Sequence, residues 1–179
     1  MNIILCGFKN CGKSTLGKIF SACYATNFID TDDLVMSHYL KQTGNSASIQ
    51  SIVKDLGETE FRNLESVVIR SIKNIENTVI ATGGGVILNK ENIVHLKTLG
   101  PIVYIALSLA PLQQRLLQGE VLPLFIRETN INTDLLDHIE VRTPLYEAAA
   151  DFVIDATNKR VEELAQELRE LSFKAKDGE

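Results

Sequence analysis

Short apolar runs alternate with longer amphipathic stretches along the chain. Residues 2–6, 27–29, 78–81, 101–106 and 152–154 are aliphatic or β-branched with little alternation, the pattern of strands buried on both faces of a parallel sheet. Between them, helical spacing of apolar positions predicts helices over 13–22, 33–41, 49–54, 58–74, 90–98, 111–117, 133–149 and 159–171. In the stretch 58–74, Phe61, Leu64, Val68 and Ile72 fall on one face. Strand–helix alternation of this kind predicts α/β architecture with a parallel sheet and right-handed crossovers. Such sheets bind ligands beyond the carboxyl ends of their strands, so chemistry is expected just after each strand.

Composition narrows the class. A chain of 179 residues with 45% hydrophobic and 23% charged positions fits one globular domain. Apolar runs reach only about six residues, against roughly 20 for a membrane span. The start, MNIILCGFKN, has no basic segment and an apolar run too short for a signal peptide, so a cytoplasmic location is expected. Three cysteines without a Cys-x-x-Cys pair suggest neither a disulfide framework nor a zinc ribbon. A net charge of −5 argues against nucleic acid or acidic membrane as partner. Anionic ligands would therefore need basic groups concentrated in one place.

The first strand runs into Gly7-Phe8-Lys9-Asn10-Cys11-Gly12-Lys13-Ser14-Thr15, which matches G-x-x-x-x-G-K-[ST] at every fixed position. Gly7 and Gly12 permit close backbone approach to a phosphate. Successive N–H groups and the following helix terminus form an anion nest. Lys13 can reach the β- and γ-phosphates, and the Ser14 hydroxyl can ligand Mg²⁺. The motif points to a nucleoside triphosphate, with Gly7, Asn10, Cys11, Gly12, Lys13, Ser14 and Thr15 as its contacts. The Cys11 side chain is either a small space-filler or a thiol activated by helix-terminal amides.

Further signals follow the other strands. Asp30-Thr31-Asp32 places two carboxylates on one side of an extended turn, suited to a metal and an acceptor hydroxyl or to a helix N-cap. Arg62 and Glu65 lie i, i+3 on one helix: a surface salt bridge, or a guanidinium aimed at a carboxylate ligand. Gly83-Gly84-Gly85 follows the third strand, as a flexible turn or as backbone against which a ligand presses. Arg142-Thr143-Pro144-Leu145-Tyr146 closes an amphipathic stretch, and taken alone its arginine reads as solvated. His38, His95 and His138 stand singly without metal-ligand spacing and are expected to be ordinary helix or surface residues.

The ordered set resembles the shikimate kinases. They carry the phosphate loop, Asp-x-Asp after strand two, Phe-Arg-x-x-Glu on a helix, Gly-Gly-Gly after strand three and Arg-x-Pro-x-Tyr after the lid; all occur here in order over roughly residues 3–146. The resemblance implies a three-layer α/β/α P-loop NTPase fold with a five-stranded parallel sheet, similar to nucleoside monophosphate kinases. It implies one kinase domain over 1–179, with a substrate-binding helical segment over about 32–62 and a mobile lid over about 118–130. It implies phosphorylation of the shikimate 3-hydroxyl by ATP with Mg²⁺, on the path to chorismate and the aromatic amino acids, by a monomer. Carried over by position, Asp32, Arg62, Gly84 and Arg142, with the flanking Gly83 and Gly85, bind shikimate. Glu65 supports Arg62, Asp30 and Ser14 serve the metal, Arg115 lies against adenine, and Arg160 borders the base. Lys13 and Asp32, with Arg127 of the lid segment, are the expected catalytic residues.

Two positions depart from that family's pattern. Asn10 stands where the phosphate loop usually has Gly, and Asn tolerates left-handed backbone well. Leu122 stands where the lid usually has an arginine facing the ATP phosphates. Arg127, five residues on, is the candidate replacement. Alternative readings are a slow or non-catalytic nucleotide or shikimate binder and another small-molecule kinase such as a gluconate kinase. A GTPase is disfavoured because Asn89-Lys90-Glu91-Asn92 and Asn158-Lys159-Arg160-Val161 both lack the final Asp of a guanine reader.

Overall fold

The computed structural model describes residues 1–118 and 131–177. Five parallel strands, β1 (Ile3–Cys6), β2 (Asn27–Asp30), β3 (Thr78–Ala81), β4 (Ile102–Ala106) and β5 (Phe152–Asp155), form one sheet in the order β2-β3-β1-β4-β5. Every residue of β1 and β3 is buried, which accounts for their continuous apolar runs: helices cover both faces. These are α1 (Lys13–Tyr24), α2 (Thr31–Thr43), α3 (Ile49–Leu56), α4 (Glu58–Ser71), α5 (Lys90–Leu99), α6 (Leu109–Gln118), α7 (Ile131–Ala149) and α8 (Val161–Asp177). All are in the predicted places. The lid expected over about 118–130, with Leu122 and Arg127, falls outside the described residues apart from Gln118 at the end of α6.

The main core is built from the sheet, with Ile4, Leu5, Ile80, Ile102, Ile105 and Ile154 at its centre, and from Leu16, Leu112, Tyr146 and Leu168 of the covering helices. A second core, Val35, Tyr39, Ile52, Phe61, Leu64 and Val68, lies under α2, α3 and α4. It gives the segment predicted to bind substrate an apolar base of its own. β1 has β3 on one side and β4 on the other. The strand order reverses there, so the crevice at the carboxyl end of β1 is where a ligand site is expected.

Asn2, read from sequence only as the start of β1, ties three segments together. Its amide donates to Ile75 O and Leu99 O, both at 2.9 Å, and its carbonyl accepts Thr78 N at 3.1 Å. Among the described residues no helix is long and apolar enough to cross a membrane. Asn2→Ala strips partners from three backbone groups and is expected to cost about 2–4 kcal/mol of stability, read as a lower urea midpoint.

Candidate functional site

The turn from β1 to α1 is shaped by backbone that few residues tolerate. Gly7 has φ +145°, and a Cβ there would stand 2.8 Å from Ile105 O; Gly12 has φ +106° and caps α1 with no side-chain acceptor. The first amides of α1 are thus left open toward the loop. Asn10 adopts φ +63°, the left-handed conformation expected where Asn replaces Gly. The Lys13 ammonium is buried and donates to Gly7 O at 2.9 Å and Phe8 O at 2.6 Å. Cys11 points inward, 2% exposed, with Lys13 Nζ at 3.6 Å from its sulfur. Its side chain fills space.

Two hollows meet at this loop. One, of about 360 Å³, is bounded by Asn10, Gly12, Lys13, Ser14, Thr15 and Arg115. Arg115 reaches back to Cys11 O at 3.2 Å. The other, of about 390 Å³, shares Asn10, Lys13 and Ser14 and is bounded further by Lys9, Asp30, Asp32, Arg62, Glu65, Arg142 and the glycines 83–85. Arg160 borders neither; its side chain is 78% exposed and pairs with Glu163 at 3.2 Å.

Asp30 is held through both oxygens. Ser14 Oγ donates to Oδ2 at 2.6 Å, and Asp32 N donates to Oδ1 at 3.0 Å. Asp30 is therefore the N-cap of α2, as one of the two readings of the Asp-x-Asp had it, and also the partner of Ser14. The predicted extended turn is not what aligns the pair: Asp32 already belongs to the first turn of α2. Burial, with the Asp30 charge adding, pushes the Asp32 carboxyl above its usual range, against the pull of Lys13 and Lys9. The hydroxyl and carboxylate oxygens of Ser14 and Asp30 are hard donors and fit magnesium, which takes one or two protein oxygens and completes its shell with water and phosphate. No cluster of three or more His, Cys, Asp or Glu gathers to hold a metal alone among the described residues.

Opposite stands the pair Arg62 and Arg142. Arg62 donates to Glu65 at 2.9 Å, and Glu65 is buried, so the pair is not a surface salt bridge. Gly85 makes room for Arg62: a Cβ there would overlap the guanidinium. A Cβ on Gly83 would stand 2.6 Å from Asp32 Oδ1 and 3.1 Å from Glu65 Oε1, and Thr31 Oγ1 accepts Gly83 N at 2.8 Å. Gly84 O accepts the Tyr146 hydroxyl at 2.6 Å. Tyr146 stacks on Tyr104 and hydrogen-bonds Arg142 one turn before it on α7. Burial lowers the pKa of Arg142, and the Arg62 charge lowers it further. Two guanidiniums facing one cleft favour an anion between them.

Sequence reasoning missed His138. It lies one turn before Arg142, half-buried, and burial followed by the charges of Arg142 and Arg62 pushes its pKa down to about 4. Its i, i+4 spacing from Arg142 was the available signal. Because the folded value lies below the ordinary 6.5, its contribution to stability is present above pH 6.5 and is lost as pH falls toward 4. Urea unfolding at pH 7 and pH 5 is expected to show a smaller loss for His138→Leu than for the wild type, and a carboxylate ligand between the arginines is expected to raise the His138 pKa seen by NMR.

The profile of the shikimate kinase family matches residues 9–172. A shikimate kinase of Caldanaerobacter subterraneus subsp. tengcongensis is 36% identical over 175 residues, covering 98% of both chains. Among solved structures, the shikimate kinase of Acinetobacter baumannii in complex with shikimate superposes with a TM-score of 0.83 at 32% identity, covering 97% of this chain and 93% of that one. The enzyme of Aquifex aeolicus gives 0.79, also at 32%, with 99% and 98% covered. With this fold and this arrangement of loop, carboxylates and arginines, the chain belongs to the shikimate kinase family.

Proposed function

We propose that the chain transfers the γ-phosphoryl group of ATP to the 3-hydroxyl of shikimate. The observation that carries this reading is the second hollow: Arg62, Arg142 and Asp32 face one space whose wall is the phosphate loop with Lys13. The two arginines receive the shikimate carboxylate, and buried Glu65 keeps the Arg62 fork aimed. Gly83, Gly84 and Gly85 let the ring approach the backbone.

Asp32 accepts the hydrogen bond of the acceptor hydroxyl and orients its oxygen toward the phosphate. Lys13 exchanges two carbonyl partners for phosphate oxygens, and the amides of residues 10–15 cradle the triphosphate. Thr15 and Arg115 lie on the nucleotide side. Arg115 covers the base, with Arg160 at its outer border. Ser14 and Asp30 hold magnesium, which when bound neutralises charge on the β- and γ-phosphates. Arg127, outside the described residues, is the proposed phosphate-facing arginine in place of the one that Leu122 lacks. Phosphoryl transfer passes through a loose transition state, so placement and charge neutralisation carry most of the catalysis. The enzyme works as a cytoplasmic monomer on small molecules, without nucleic acid or membrane.

ADP release with Mg²⁺-ATP is expected with shikimate and not with gluconate or nucleoside monophosphates; turnover of gluconate alone would replace this reading. Asp32→Asn is expected to lower kcat by about 10²-fold or more, with a smaller change in the KM for shikimate. Gly85→Ala displaces the Arg62 guanidinium. It is expected to raise the KM for shikimate about 10- to 100-fold, the worth of a charged hydrogen bond, and, by loosening the partner of buried Glu65, to lower the melting temperature.

A further inference from the structure

Lys9 is a cation in the acceptor cleft that none of the roles above uses. It sits in the phosphate loop between Phe8 and Asn10, is half-buried and lines the cleft. Its backbone nitrogen lies 3.4 Å from where a Gly84 Cβ would stand, so the loop and the triple glycine approach each other closely at this residue. The other cations of the cleft have partners. Lys13 is bound by two carbonyls, Arg62 by Glu65 and Glu58, and Arg142 by Tyr146. Lys9 faces Asp32, yet forms no ion pair within 4.0 Å among the described residues. Burial disfavours its ammonium form. A charge kept there at a cost in free energy is accounted for by an anionic group that comes to it only with the ligands.

Resting on the shikimate kinase reading, we propose that Lys9 is a second catalytic cation of the phosphate loop, contacting the phosphoryl group on its acceptor side while Lys13 holds the donor side. In the step it assists, the 3-hydroxyl oxygen forms the new P–O bond and the bond from the γ-phosphorus to the bridging oxygen breaks. That oxygen leaves with the electron pair as part of ADP, and the hydroxyl proton passes to Asp32 and on to water. The carboxylate is already taken by Arg62 and Arg142, and the β-phosphate by Lys13 and the loop amides. The group between them is the migrating phosphoryl, and Lys9, which lines the cleft within the field of Asp32, is the cation that meets it.

The test is Lys9→Met, which keeps the stem and removes the charge, beside Lys9→Arg. Lys9→Met is expected to lower kcat about 10²-fold at saturating ATP and shikimate. Shikimate affinity by calorimetry should stay within about threefold and the melting temperature near wild type, and Lys9→Arg should recover at least tenfold of the loss. A ternary complex of shikimate, MgADP and aluminium fluoride, which mimics the phosphoryl in flight, should be weakened in Lys9→Met to a similar extent; Lys9→Gln provides the same comparison if the methionine variant folds poorly. The assignment is overturned by a kcat within threefold of wild type, by a loss confined to shikimate affinity, or by an undiminished fluoride complex. Wild-type protein that releases no ADP with shikimate would instead overturn the functional reading itself.

Discussion

Two guanidiniums turned toward the same cleft repel each other until an anion lies between them, and much of this structure is arranged to hold them there. Arg62 is anchored by Glu65, a carboxylate that burial itself disfavours. Arg142 is anchored by Tyr146, whose ring stacks on Tyr104 and meets the edge of Phe8. The second core under α2, α3 and α4 fixes the helix that carries Arg62, while the main core fixes Tyr146. In a chain of net charge −5, that local excess of positive charge is what makes an anionic site possible.

The same constraint explains the glycines after β3. Gly85 lacks a side chain because the Arg62 guanidinium occupies the space, and Gly83 because the Asp32 and Glu65 carboxylates converge on it. Gly84 offers its carbonyl to Tyr146. The triple glycine is therefore not a flexible hinge. It is a stretch of backbone pressed from three directions by charged and aromatic groups, and its entropy cost in the unfolded chain is offset by the closeness it allows.

The two hollows share Asn10, Lys13 and Ser14, so the loop forms the wall between them. Lys13 is buried against its own loop carbonyls in this arrangement. Asp30 links Ser14 of that wall to a backbone amide in the first turn of α2, at Asp32.

Local rules were enough for a large part of this. The phosphate loop, the five strands and the helices between them follow from short-range pattern and from backbone conformations that only Gly or Asn adopt readily, as Gly7, Asn10 and Gly12 show. The Arg62–Glu65 pair was legible because i, i+3 residues meet on any helix. What separates a solvated arginine from one half of an anion clamp is decided between elements distant in the chain, where spacing carries no information: Arg142 on α7 meets the end of β3 through Tyr146, His138 faces both arginines, and Asn2 joins three segments. Burial and long-range charge set those roles, and both exist only once the sheet has brought the strand ends together.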